Sequence, residues 1–133
     1  MSFVHLHAHS HYSLLEAFGE PKALIARAKT LGMNAIALTD YNGMYGAIEF
    51  YQAAKKADIK AIFGVELGFV QERLRKDKSE SAGNIVLLAK NMTGYQNLMA
   101  LTTNAHIEGY FKKARIDYAI LREYQSDLVA LVG

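Results

Sequence analysis

The sequence has no cysteine, one proline and no long apolar run. Without cysteine, disulfides and thiolate metal sites are excluded, and histidines and carboxylates remain as the candidate metal ligands. A cysteine-free chain also fits a reducing compartment. No apolar stretch approaches the length of a membrane span. The first residues form neither a basic region nor the apolar core of a signal peptide. These absences predict a cytoplasmic protein with no membrane partner. An excess of one charge sign is missing too: 15 Lys and Arg stand against 13 Asp and Glu, leaving +2 at pH 7. That is too little to argue for nucleic acid from electrostatics alone. The most charged segment, Gln71 to Glu80, mixes both signs and predicts a solvated loop.

What is present suffices for one core: 133 residues, 51% of them hydrophobic. The lone proline, Pro21, suits a first helical turn, and Gly32 can cap the end of a helix from Pro21 to Leu31 with Leu24, Ala28 and Leu31 on one stripe. Short apolar strands are expected at 3–9, 34–38, from Lys60 to Val65 or on to Val70, at 85–89 and at 127–132. A helix at 44–57 is expected to face inward through Met44, Ala47, Ile48, Tyr51 and Ala54. Thr93 is the expected N-cap of a helix running to Ala105, and a shorter helix is expected at 117–124. Helices alternating with continuous apolar strands indicate an α/β fold with a parallel sheet.

Four of the five histidines alternate, at His5, His7, His9 and His11. On a strand, residues two apart share a face, so the pattern projects imidazoles one way and Val4, Leu6 and Ala8 the other. Neutral imidazole is a common ligand for zinc and its neighbours. Polar groups also close successive strands: His7 and His9 the first, Asp40 the second, Glu66 the third. In β/α barrels the chemistry gathers at that rim. Five strands are too few to close such a barrel, so the 133 residues are expected to be the front part of a longer domain. No phosphate-binding glycine loop or nucleophile elbow competes for the chemistry.

The series Phe3-Val4-His5-Leu6-His7-Ala8-His9-Ser10, Ala37-Leu38-Thr39-Asp40, Gly64-Val65-Glu66, Val86-Leu87-Leu88-Ala89 and Arg115-Ile116-Asp117 resembles the PHP (polymerase and histidinol phosphatase) domain family. Within it, the series is most similar to the branch found in bacterial replicative DNA polymerases. The resemblance implies part of a distorted (β/α)7 TIM-like barrel with a divalent metal site (Zn, Mn or Mg) at its rim. By that resemblance His7 and His9 match the metal ligands of the first motif and Glu66 a bridging carboxylate. Glu16 falls where an Asp ligand is usual, and Asp40 matches an acidic residue in a supporting role. Two positions depart from the pattern. Tyr41 and Asn84 stand where metal-binding members carry histidine, which implies incomplete metal occupancy.

The function implied is that of a largely scaffolding domain in a DNA-directed DNA polymerase acting in DNA replication, with nucleotidyl transfer carried out elsewhere in the protein. Residual 3′–5′ exonuclease activity is one expectation, and this segment alone is expected to be inactive. Implied partners are DNA, through the missing polymerase domains, a sliding clamp and a proofreading exonuclease. Two alternatives stay open: a stand-alone metal-dependent phosphoesterase of histidinol-phosphatase type, and a structural module without metal.

Overall fold

The computed structural model describes residues 3–78 and 81–132. In chain order the elements are α1 (Pro21–Thr30), β1 (Ala35–Leu38), α2 (Ala47–Ala57), β2 (Lys60–Phe69), β3 (Gly83–Ala89), α3 (Met92–Ile107), β4 (Arg115–Ile116), α4 (Tyr118–Tyr124) and β5 (Leu128–Leu131). Local chemistry sets most boundaries. Pro21 opens α1, and Gly32 at φ 72° turns the chain out of it. The Asn91 side chain caps α3 by accepting from Gly94 N at 3.0 Å. Thr93, the expected cap, already lies inside the helix. Asp117 caps α4 by accepting from Ile120 N at 3.1 Å.

The α/β class holds, with strand order β1-β2-β3-β5 and β4 added to β2. β1 and β4 run parallel to β2, whereas β3 runs antiparallel to both β2 and β5. The alternation of strand and helix is interrupted once, between β2 and β3, which pair directly as antiparallel neighbours and need no helical crossover, and it resumes with α3. Ile36 and Leu38 pack with Ile25, Ala28 and Phe50 on the α1 and α2 side. Val65, Leu67, Ile85 and Leu87 pack with Leu98, Leu101 and Ile120 on the α3 and α4 side. The opposite sheet face buries Ala37, Val86 and Leu88.

Three expectations are corrected here. Residues 3–9 form no strand. His5 O accepts from Ala37 N and Ala8 O from Thr39 N, both at 2.8 Å. Between these bonds two residues, Leu6 and His7, oppose the single Leu38, which offsets the segment like a bulge and bends it there. Glu66 lies within β2, not at its end, because β3 and β4 extend the pairing to Phe69. On α2, Ile48 and Tyr51 are exposed and Phe50 is fully buried.

Over its described residues, 71–78, the charged segment is a loop, as expected, but it is anchored; Ser79 and Glu80 lie outside the described residues. Arg73 Nη1 donates to both Asp117 oxygens at 3.0 and 3.2 Å, Arg73 N donates to Asp117 Oδ2 at 2.9 Å, and Arg73 Nη2 reaches Glu108 at 2.7 Å. Burial alone would raise the Asp117 carboxyl pKa; backbone N–H bonds from Arg73 and Ile120, with the Arg73 guanidinium, outweigh it and hold the group below its ordinary value. A carboxylate whose pKa falls on folding adds stability above its unfolded pKa, about 4, and loses it as pH drops through the lower folded value. Acid unfolding should accordingly be shallower for Asp117→Asn than for the parent between about pH 5 and 2. Parallel stability curves for the two proteins in denaturant titrations across that range would contradict it.

Candidate metal centre

Glu66 is the focus of the site. Its residue is 3% exposed, and three side chains converge on its carboxylate. His7 Nε2 lies 2.6 Å and His9 Nε2 2.9 Å from the same oxygen, Oε2. The Asn84 amide donates to the other, Oε1, at 2.8 Å. The two imidazoles meet edge to face with ring centres 4.9 Å apart. Tyr41 packs on His9 at 4.2 Å between ring centres. His5 does not join them: it turns toward Phe3 and a small hollow against α1 and β1. The expected single face of four histidines therefore reduces to two.

The loop that carries His9 is held by Asp40. Its carboxylate accepts from Ser10 N at 2.6 Å, Ser10 Oγ at 2.7 Å and Ser13 Oγ at 2.7 Å. Ser13 Oγ in turn accepts from Tyr41 N at 3.0 Å. With both oxygens engaged in a 2% exposed position, Asp40 fixes the loop from beneath. Glu66 N donates to Asp40 O at 3.0 Å and Asn42 N to Glu66 O at 2.9 Å, tying the end of β1 to β2.

A ring nitrogen of His7, one of His9 and a Glu66 oxygen lie within 4.8 Å of one another, the only such group of three or more His, Cys, Asp or Glu among the described residues. Two imidazole nitrogens and a carboxylate oxygen make a donor set that fits one zinc-like ion and leaves a position open. Glu16 is not brought into this group. The turn closed by Glu16 N and Ala17 N on Ser13 O leaves its side chain exposed at the cleft mouth. Tyr41 lies against His9, and burial first, then the negative charges of Glu66 and Glu16, push its phenol above its ordinary pKa. Asn84 turns its N–H toward Glu66, and a donor cannot ligate a cation.

A cleft of about 850 Å³ opens beside these residues, lined by Glu16, Tyr41, Asn84, His106, Tyr110 and Lys113 among others. Three of these carry more weight than the sequence suggested. His106 donates from Nε2 to Asn42 O at 2.7 Å and stacks on Tyr110, which is exposed and not part of the core. Lys113 Nζ donates to Asn84 Oδ1 at 2.5 Å. No local pattern marks Lys113, because its partner lies 29 residues earlier. Ser10 and Ser13 do carry a signal, a pair of hydroxyls three apart directly after the histidines.

A PHP domain family profile matches residues 5–133. The DNA polymerase III subunit alpha of Treponema pallidum is 44% identical over 136 aligned positions, covering 98% of this chain and 12% of that protein. The Borreliella burgdorferi protein of the same name is 41% identical, with 96% and 11% covered, and that of Thermus aquaticus 39%, with 100% and 12%. The chain thus spans about an eighth or less of these relatives. Among solved structures, a chain designated a metal-dependent phosphoesterase from Bifidobacterium adolescentis aligns with TM-score 0.58 at 18% identity, over 77% of this chain and 32% of that one. An amidohydrolase from Chromobacterium violaceum aligns with TM-score 0.55 at 25% identity and the same coverage. By the profile match across nearly its whole length, and in keeping with these folds, the chain belongs to the PHP domain family.

Proposed function

We propose that these 133 residues are the amino-terminal part of the PHP domain of a bacterial DNA polymerase III alpha subunit, acting chiefly as scaffold around a reduced metal centre. Identity near 40% to proteins of that name, over almost the full chain, supports the polymerase assignment. The intact protein is then a cytoplasmic DNA-directed DNA polymerase whose partners are DNA, a sliding clamp and a proofreading exonuclease. No helix of the described residues is long and apolar enough to cross a membrane.

The observation that carries the scaffold reading is the state of Tyr41 and Asn84. Tyr41 packs its ring on His9 and Asn84 presents N–H to the shared carboxylate, so neither offers a nitrogen ligand in the place of histidine. His7, His9 and Glu66 remain as the holders of one divalent ion, zinc, manganese or magnesium. Such an ion supplies Lewis-acid activation of a phosphoester. The protein's own part is to fix two imidazoles against Glu66, with the Asp40 loop keeping His9 in place. Glu16, at the cleft mouth, can approach only by rotation of its exposed side chain. The convergence of His7, His9 and Glu66 favours a retained ion over a module without metal, and it keeps the phosphoesterase alternative in view.

The test uses the intact protein. Elemental analysis should find no more than one site-bound ion per chain, and His7→Ala with His9→Ala should abolish it. Primer extension should persist in that double variant, while hydrolysis of a generic phosphodiester by this domain should be weak in the parent and absent in the variant. Several bound ions with brisk hydrolysis in the parent would replace this reading with the phosphoesterase one.

A further inference from the structure

The oxygen-rich corner beside Glu66 already contains a cation belonging to the chain. Lys113 lies between α3 and β4 and is partly buried at the cleft wall. Its ammonium donates to Asn84 Oδ1 at 2.5 Å and faces Gly83 O at 3.5 Å. Both acceptors belong to the first two residues of β3. The amide of Asn84 is planar, with its oxygen and nitrogen on opposite sides. Once Lys113 claims the oxygen, the nitrogen must point the other way, and it donates to Glu66 Oε1 at 2.8 Å. Lys113 therefore determines which end of Asn84 faces the site.

We infer that Lys113 is a built-in counter-cation that locks Asn84 as a donor, thereby keeping a second metal ion out of this corner and weakening the hold on the first. This rests on the reading that His7, His9 and Glu66 hold an ion. Two effects act in the same direction. The amide orientation removes Asn84 from the ligand set and occupies the Glu66 oxygen that His7 and His9 leave free. The ammonium also adds like charge one amide away from the carboxylate, where repulsion of a divalent ion is screened only in part. Without metal, the same chain of bonds stabilises the fold, since Glu66 is 3% exposed and an unpaired carboxylate there would be costly. Lys113 thus favours the metal-free state at the expense of the metal-bound one. A lysine that merely packed would not have opposite effects on the two.

The experiment measures Zn²⁺ binding by calorimetry and metal-free melting temperature on the intact protein, for the parent, Lys113→Met, Lys113→Gln and Lys112→Met. Lys112 shares the cleft wall, but its ammonium lies over the Phe111 ring, 5.7 Å from the ring centre. Lys113→Met should lower the metal-free melting temperature and raise Zn²⁺ affinity about 10-fold, with a smaller gain at high salt. Lys113→Gln, which keeps a hydrogen-bonding end, should change both less, and Lys112→Met should change neither. Adding Asn84→His should raise affinity further in the Lys113→Met background than in the parent. A lower melting temperature with unchanged Zn²⁺ affinity in both Lys113 variants would make the lysine structural only and overturn the proposal. An equal gain in Lys112→Met would overturn it as well. Failure of the underlying reading looks different: His7→Ala with His9→Ala would leave parental Zn²⁺ binding intact. A parent that takes up no Zn²⁺ still decides the matter, since Lys113→Met must then acquire binding.

Discussion

Arg115→Met should cost the domain about 3–5 kcal/mol, the largest loss expected from any single change described here. Arg115 is 1% exposed and holds three backbone carbonyls at once. Nε donates to Gly109 O at 2.8 Å, and Nη2 donates to Arg73 O at 2.9 Å and Arg75 O at 3.1 Å. The Phe111 ring lies 5.3 Å below the guanidinium carbon. Methionine fills much of the stem volume but supplies no donor, so the buried carbonyl of Gly109 and the part-buried ones of Arg73 and Arg75, on two separate loops, lose their partner. Arg115→Lys should recover only part of the loss, because one ammonium cannot reproduce a planar fork aimed in two directions. Denaturant midpoints of the three proteins check the order. Limited proteolysis should cut within 71–78 soonest in Arg115→Met, since those carbonyls anchor that loop. A Met variant within about 1 kcal/mol of the parent would show that the loop holds itself.

Asp40→Ala should be nearly as damaging, at about 3–4 kcal/mol, and should also disturb the metal centre. Three donors lose a charged acceptor, two of them hydroxyls that can turn elsewhere and one the fixed N–H of Ser10. Ser10 follows His9 directly, so its release frees the imidazole that approaches Glu66 at 2.9 Å. Weakened support of a ligand commonly costs about 10–100-fold in metal affinity, and that is the range expected here. Asp40→Asn should keep roughly half of the stability, because one oxygen still accepts while the new N–H₂ opposes the other donors. Calorimetric Zn²⁺ titration beside thermal unfolding separates the two effects. Unchanged affinity in a destabilised Asp40→Ala would mean that His9 is positioned by Tyr41 packing instead.

Several features were legible because their causes are local. Pro21 and Gly32 bracket α1 by their own backbone preferences, and Asp117 sits one residue before α4. The N-cap of α3 was missed by two residues because Asn91 and Thr93 are both acceptable caps, and only the backbone path selects Asn91. The inward face of α2 was misread because Ala47-Ile48-Glu49-Phe50-Tyr51 offers apolar groups on more than one side. Packing against α1 and β1 selects Phe50, while Ile48 and Tyr51 stay exposed. The direction of β3 could not be read, since an apolar strand looks the same in either sense. At the site, His7, His9 and Glu66 announced themselves by motif. Lys113 did not, because its role arises only when β3 and the chain before β4 are brought side by side.

The two halves of the candidate metal centre are held very unequally. Glu66 lies in β2, which is paired along both edges and packed on both faces. Among the described residues, His7 and His9 ride on a bent strap that takes one backbone bond from β1 and one from Thr39 just beyond it, supplemented by the Thr39 hydroxyl and the Asp40 carboxylate. Segments tied down this lightly open by local fluctuation, at a fraction of the free energy needed to unfold the domain. Breathing of the strap would part the imidazoles from the carboxylate while the sheet stays closed, giving an ion a route in and out that leaves the scaffold untouched.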